Sequence, residues 1–150
     1  MLRARLTEAL KTALKAKHER TVGAVRLILS ALKDRDIAAR PARQNGIGDD
    51  EILNLLQSMI KQRNESIALY QQGGRADLVA VERGEIQVIE SFLPAQMDDA
   101  AIATAAQQLI GEINAVGVKD MGRVMGALKT KFAGQMDFGK ASAVVKGLLA

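Results

Sequence analysis

Apolar residues recur along the chain at intervals of three and four positions, the spacing that places them on one face of an α-helix. The first 39 residues contain two such patterns, one ending near Lys17 and the other running from about Thr21 to Ala39. We predict an amphipathic helix for each pattern, with one side buried. The buried positions are Leu2, Leu6, Ala9, Leu10 and Ala13 in the first helix, and Val22, Val25, Ile28, Leu29 and Leu32 in the second.

Residues 40–48 interrupt the helical pattern because they combine proline, asparagine and two glycines with few apolar residues, which predicts an exposed, mobile loop. A long third helix follows, beginning at the acidic run 49–51, which suits the positive end of a helix dipole, and ending at Gly73-Gly74. A fourth helix is predicted from about Asp77 to Phe92. The expected buried positions are Leu56, Met59, Ile60, Ile67 and Tyr70 in the third helix, and Leu78, Val81, Ile86, Ile89 and Phe92 in the fourth.

A domain boundary is predicted at Pro94, because a proline disfavours helical geometry in the residue before it. Three helices are predicted beyond it, one capped by Asp98 and ending at Gly117, one over 120–133, and one over 138–149 capped by Asp137. The predicted fold is all-α, with about four helices in residues 1–93 and a small three-helix domain in residues 94–150. The buried positions of the fifth helix are Ile102, Ala105, Ala106, Leu109, Ile113 and Val116.

Composition narrows the possible chemistry. The absence of cysteine excludes disulfides, thiolate nucleophiles and cysteine-ligated zinc, and a reducing cytoplasm is the simplest compartment for such a chain. No apolar run approaches the roughly 20 residues that a membrane-spanning helix needs, so we expect a soluble protein.

No residue set is equipped for catalysis. The single histidine, His18, lies at the junction of the first two helices without the companions that a metal site needs. Glu82 and Glu85 lack a partner histidine, and the acidic runs at 49–51 and 98–99 are better explained by helix capping. We therefore expect no cofactor, no metal and no enzymatic activity of the chain by itself.

The sixth predicted helix has an unusual pattern of glycines. Its apolar residues, Met121, Val124, Met125, Leu128 and Phe132, fall in one arc roughly 100° wide, which we predict to be the core face. Gly122 and Gly126 lie outside that arc, although each glycine costs a helix about 1 kcal/mol relative to alanine. The side of the helix with the glycines also carries Lys119, Arg123, Lys129 and Thr130.

Two interpretations of these glycines remain open. A sugar–phosphate backbone could lie along them, with the flanking Lys and Arg supplying charge and Lys131, Lys140 and Lys146 adding more nearby in sequence. Alternatively, another helix could pack there, either the seventh or one from the N-terminal part, since small residues also let helices approach closely. Because only 3% of the residues are aromatic, a nucleic acid would be recognised by shape and phosphate rather than by base stacking.

The N-terminal part is strongly basic, with eleven Lys and Arg against four acidic residues in positions 1–45. An ordinary solvated helical surface is the simplest explanation of this charge. The outward-facing cations are Lys11 and Lys15 in the first helix and Arg20, Arg26, Lys33 and Arg35 in the second.

Several separated motifs resemble the YqeY family, also called the GatB/YqeY domain, over essentially the whole chain. They are Lys119-Asp120-Met121-Gly122-Arg123-Val124-Met125-Gly126, Lys129-Thr130-Lys131-Phe132, Gly139-Lys140, Lys61-Gln62-Arg63-Asn64-Glu65-Ser66 and Ser91-Phe92-Leu93-Pro94. The family is similar to the tail of the GatB subunit of tRNA-dependent amidotransferase, so the resemblance implies tRNA binding, with an aminoacyl-tRNA synthetase or an amidotransferase component as further candidate partners. The resemblance does not imply carbon–nitrogen ligase activity, since the amide-transfer residues lie in parts of that enzyme that this chain lacks.

The chain departs from the family pattern after the sixth helix. Many relatives carry arginine and alanine after the glycine that ends this helix, where this chain has Gln135 and Met136. The departure implies that one phosphate contact is missing.

Overall fold

The structure, a computed structural model, describes residues 1–150 and consists of seven α-helices without a strand, which confirms the predicted all-α class. No helix combines the length and the apolar character needed to cross a membrane. The helices are α1 (Leu2–Ala16), α2 (Glu19–Ala39), α3 (Asp49–Gln72), α4 (Ala76–Glu90), α5 (Asp99–Glu112), α6 (Met121–Lys131) and α7 (Phe138–Leu149), with a short 3₁₀ turn at Val118–Asp120.

The chain divides into two compact units, Met1–Leu93 and Pro94–Ala150. The N-terminal unit contains α1 to α4 around an aliphatic core, and a second, smaller cluster between α3 and α4 is formed by Ile67, Val79 and Ile86. The main core contains nine of the predicted buried positions and adds Ile47, Ile52 and Leu55. It consists of Leu2, Leu6, Val25, Ile28, Leu32, Ile47, Ile52, Leu55, Leu56, Met59, Ile89 and Phe92.

The loop between α2 and α3 is anchored at one end, so the prediction that all of residues 40–48 are exposed is wrong. Ile47 is only 8% exposed and belongs to the main core. The Arg3 guanidinium donates two hydrogen bonds of 2.6 Å to the Asp36 carboxylate and one of 2.8 Å to the Ile47 carbonyl. Asp36 also accepts the Ile47 N–H at 3.0 Å, so one ion pair joins α1, α2 and this loop.

Val81 is half exposed, and its predicted burial in α4 is wrong. It lies on the side of α4 that faces α2, where the small residues Gly23 and Ala24 leave a surface cleft that Val81 and Leu27 line. Val79, which was not predicted to be buried, packs against α3 instead.

In the C-terminal unit, α5 ends at Glu112 rather than at Gly117, and Val116 is 78% exposed rather than buried. The cause is Asn114, which adopts a left-handed backbone conformation with φ 54°. In this geometry the Ala115 N–H donates to the Ile110 carbonyl at 3.0 Å, which terminates the helix in the way that a C-terminal glycine usually does.

The starts of α5 and α7 lie side by side in the C-terminal unit. The predicted caps are confirmed, since Asp98 accepts the Ala101 N–H and Asp137 accepts the N–H groups of Gly139 and Lys140. The Met97 N–H donates to the Gln135 carbonyl at 2.7 Å, which joins the segments leading into the two helices. The core beneath them contains Ile102, Ala105, Ala106, Leu109, Val124, Leu128, Met136, Ala141, Val145 and Leu149.

The Arg3–Asp36 pair predicts a measurable loss of stability in Asp36→Asn. Asparagine carries no negative charge and has one side-chain oxygen where aspartate has two, so it cannot accept both guanidinium hydrogen bonds. Because the pair is partly exposed and screened by solvent, we expect the free energy of unfolding to fall by only about 1–2 kcal/mol. Urea denaturation of the two proteins at pH 7 measures this difference, and equal midpoints would contradict it.

The same pair predicts an acid-sensitive component of stability. The hydrogen bonds from Arg3 hold the pKa of Asp36 below its ordinary value of 3.8. The stabilisation is therefore complete above the pKa of the unfolded state and is lost as the pH falls below about 4 through the folded-state pKa. The free energy of unfolding of Asp36→Asn should therefore fall less steeply with decreasing pH below about 4 than that of the unsubstituted protein. Equal pH dependence of the two proteins would contradict the assignment.

Glu51, at the start of α3, provides a separate test in the loop. The hydrogen bond from the Arg43 guanidinium, followed by the one from the Gly48 N–H, lowers the pKa of Glu51 to about 2. In Arg43→Gln we expect this pKa to rise toward its usual range, as followed by NMR titration of the glutamate carboxyl carbons. An unchanged titration of Glu51 in this variant would show that Arg43 does not pair with it in solution.

Candidate nucleic-acid interface

The rotation of α6 about its axis is fixed by two completely buried side chains. Val124 and Leu128 are 0% exposed and belong to the C-terminal core, while Met121, Met125 and Phe132 are half-buried and pack at its edge. The predicted apolar arc of this helix is therefore confirmed. Apart from Ala127, which also packs partly against this core, the remaining circumference of α6 faces solvent.

Gly122 and Gly126 lie on this solvent-facing side. Both are exposed, and a Cβ atom built on either one would have no neighbouring side chain or chain segment within 4 Å. The seventh helix therefore does not cover the glycines, which removes one of the two helix-packing interpretations. We call the exposed surface of Gly122 and Gly126 the glycine stripe.

Thr130 lies beside the glycine stripe, and its side chain does not obstruct access to it. Its hydroxyl donates a hydrogen bond of 3.0 Å to the Gly126 carbonyl one turn earlier. This bond holds the threonine side chain against the helix. A ligand can consequently approach the α6 backbone more closely along the stripe than along any stretch with larger side chains.

Arg123 is positioned by the turn that precedes α6. Its guanidinium donates to the Ile113 carbonyl at 3.1 Å and to Asp120 Oδ1 at 3.5 Å. Asp120 in turn accepts the Val116 N–H at 2.9 Å, and this bond, more than the charge of Arg123, lowers the pKa of the Asp120 carboxyl. This pairing was not predicted, although the i,i+3 spacing of Asp120 and Arg123 is typical of such pairs, and the carboxylate offsets part of the positive charge of Arg123.

Lys119 and Lys129 differ from Arg123 in that they make no ion pair, although the charge of Lys119 contributes to lowering the pKa of the adjacent Asp120 carboxyl. Both are exposed and neither makes an ion pair. Lys119 belongs to the 3₁₀ turn rather than to α6 itself, so its direction does not follow the 100° steps used to place it from the sequence. Lys129 lies within α6, about 20° around the axis from Gly122.

Lys131 and Lys140 lie away from the glycine stripe. The helical repeat places Lys131 about 140° or more around α6 from either glycine, and its ammonium sits 5.6 Å from the centre of the Phe132 ring. Lys140 is in the first turn of α7, where its Nζ lies 3.3 Å from Asp99 Oδ1. The structure thus brings Lys129 to the stripe but not Lys131 or Lys140.

The two residues that depart from the family pattern have structural roles. Met136 is 0% exposed in the C-terminal core, so the side chain at this position is not available to a phosphate. The carbonyl of Gln135 accepts the hydrogen bond from Met97. The missing phosphate contact concerns the arginine that Gln135 replaces, and it stays a prediction.

The structure contains no group of three or more His, Cys, Asp and Glu side chains placed to hold a metal ion. His18 precedes α2 at its junction with α1, as predicted.

Together, the fold and this surface define a protein of two small all-helical units, the second of which presents an exposed glycine stripe with basic neighbours. The family model described as Yqey-like protein matches residues 3–149. The chain belongs to the YqeY family.

Curated relatives of this chain are found in yeasts. "Altered inheritance of mitochondria protein 41, mitochondrial" of Saccharomyces cerevisiae is 36% identical over 86 residues, which is 56% of this chain and 44% of that protein. The proteins of the same name from Lachancea thermotolerans and Eremothecium gossypii are 31% identical over 90 residues and 29% identical over 92 residues. These two alignments cover 60% and 61% of this chain, and 46% and 49% of the respective relatives. The match therefore spans less than half the length of these relatives.

The open space around the glycine stripe predicts that alanine is tolerated there. Gly122→Ala and Gly126→Ala should each raise the free energy of unfolding by about 0.5–1 kcal/mol, because alanine restricts the unfolded chain and its methyl group meets nothing in the folded one. Thermal denaturation measures the effect. A lower melting temperature for either variant would mean that the stripe is covered in solution.

Proposed function

We propose that this chain is a tRNA-binding accessory protein without catalytic activity of its own, and that the C-terminal unit contacts the RNA through the glycine stripe. The observation that carries the proposal is the exposed pair Gly122 and Gly126, with no neighbouring group within 4 Å, beside the exposed and unpaired Lys119 and Lys129. The similarity of the YqeY family to the tail of an amidotransferase subunit supports the choice of tRNA among nucleic acids.

Steric access and charge favour a phosphate backbone as the ligand. A sugar–phosphate chain is bulky and negatively charged, so it needs both a low surface and nearby cations. The glycine stripe supplies the low surface, and Lys129 and Arg123 lie on either side of it around α6. Gly122 in the first turn of α6 and Gly126 in its middle destabilise this short helix, and close approach of a ligand gives this cost a function.

Recognition through stacked bases is not supported by this surface. Phe132, the aromatic residue of α6's apolar arc, is half-buried against the core, and Lys131 lies over its ring. Proteins that read single-stranded RNA usually present exposed aromatic rings for stacking. We therefore propose a structured region of tRNA, contacted through its backbone.

A non-catalytic tRNA-binding protein acts by positioning RNA for other enzymes. We propose an aminoacyl-tRNA synthetase or an amidotransferase component as the partner enzyme and the cytoplasm as the compartment, whereas the yeast relatives are mitochondrial by name. A role as a carbon–nitrogen ligase component would require those partners as well.

Gly126→Leu tests the steric part of the proposal. Leucine is a good helix former and would project into open space, so we expect an unchanged or slightly higher melting temperature and at least a tenfold weaker affinity for total tRNA, measured by fluorescence anisotropy. Gly111→Leu is the matched control, since Gly111 is also helical, exposed and without neighbours within 4 Å, and it should leave affinity unchanged. Equal affinities for the two variants would refute the site.

The charged part of the site is tested by the double variant Lys119→Gln with Lys129→Gln. Losing two phosphate contacts should reduce the slope of log affinity against log salt concentration by about 2. If the slope is unchanged, and a pull-down instead captures a protein partner in an RNase-insensitive manner, the stripe is a helix-docking surface and the chain is a protein-interaction module.

A further inference from the structure

The outer face of α2 carries a row of cations at a regular spacing. Arg26, Lys33 and the C-cap residue Arg40 follow one another at intervals of seven residues. Seven residues make almost two full helical turns, so the three side chains project from nearly the same line along the helix, about 10 Å apart. We call these three residues the α2 row.

The α2 row faces solvent because the other side of α2 is committed to the core. Val25, Ile28 and Leu32 are at most 3% exposed, whereas all three members of the row are exposed. One acidic residue, Glu19, continues the same line seven positions before Arg26. From Arg26 onward, every seventh residue is a cation, with the uncharged Ser30 and Ile37 beside the line.

The members of the row are also among the basic residues of the N-terminal segment that make no ion pair, as are Lys15, Lys17 and Arg35. The neighbouring cations Arg3, Lys11 and Arg43 are each paired with a carboxylate, those of Asp36, Glu8 and Glu51 respectively. Arg26, Lys33 and Arg40 make no ion pair. Ion pairing within the unit therefore uses other basic residues, although Asp36, one turn before Arg40, is close enough for the charge of Arg40 to contribute to lowering its pKa.

We propose that the α2 row is a second RNA-binding surface, through which the N-terminal unit contacts the phosphate backbone of a structured RNA. This inference shares its ligand with the proposed function but does not depend on the glycine stripe. A straight row of charges of one sign matches a polymer whose phosphates repeat regularly along a strand, and the spacing allows each cation to meet a different phosphate.

The apolar residues of α2 argue against a membrane surface as the partner. A helix that lies on a membrane buries a continuous apolar face in the lipid. The apolar face of α2 is buried in the protein, and its two exposed large apolar side chains, Leu27 and Ile37, lie ten positions apart and form no continuous face. A polyanion bound by charge alone requires no such face.

The test uses the full-length double variant Arg26→Gln with Lys33→Gln. Affinity for total tRNA is measured between about 50 and 200 mM salt, where loss of phosphate contacts has a large effect on binding. We expect the salt slope to fall by about 2 and the affinity at low salt to fall at least tenfold, with an unchanged melting temperature. Glutamine suits the test because it removes the charge and keeps a high helix propensity.

Lys61→Gln with Arg83→Gln is the matched control. It removes the same net charge from two exposed residues of α3 and α4 that also lack ion pairs. If the two double variants have the same salt slope and affinity, only net charge matters and the proposal is wrong. It is equally overturned if the α2 variant keeps its affinity for tRNA but loses binding to polyglutamate, because the row would then be a site for an acidic protein.

The outcome separates this inference from the proposed function. If the α2 variant binds tRNA weakly while Gly126→Leu and the Lys119/Lys129 variant bind normally, the glycine stripe is not the site and the α2 row is. The reverse pattern removes the row and leaves the stripe.

Discussion

The complete burial of Val124 and Leu128 is the constraint on which the candidate interface depends. Because these two residues are one turn apart, they fix the rotation of α6, and the helical repeat then dictates what every other residue of α6 faces. Gly122 and Gly126 face solvent and Lys129 lies beside them. Lys131 lies at the edge of the apolar arc that is farther from the glycines. The chemistry of the surface thus follows from packing in the core beneath it.

Some of the cations of this protein bind carboxylates or carbonyls within the fold, and others do not. Arg3 holds Asp36 and the end of the α2–α3 loop, Arg63 donates to Glu85 between α3 and α4 at 2.8 Å, and Arg123 is tied to the turn before α6. These arginines support the fold. Lys119, Lys129 and the α2 row are among the exposed cations that make no ion pair, and they are available to a polyanion.

The sequence predicted the seven helices and the core face of α6, because apolar residues at helical spacing leave few alternatives. It did not predict that Asn114 ends α5, since asparagine adopts the left-handed conformation only in some contexts, or that a long-range ion pair to Asp36 anchors Ile47. For the candidate site, spacing placed the glycines and Lys129 but not the Asp120 carboxylate that holds Arg123. The contact to Asp36 depends on tertiary geometry, which a local pattern does not contain, whereas the i,i+3 spacing of Asp120 and Arg123 is a local signal that indicates such a pair.

The central claim is that RNA lies against the α6 backbone along the glycine stripe. NMR titration of the isotopically labelled full-length chain with total tRNA tests it most directly, because glycine amides resonate apart from most others and report on ligands that approach the backbone. The account predicts that the amide signals of Gly122, Gly126 and Lys129 shift or broaden early in the titration, while that of Gly111 on α5 does not. Binding of tRNA that leaves the signals of Gly122 and Gly126 unchanged would contradict it.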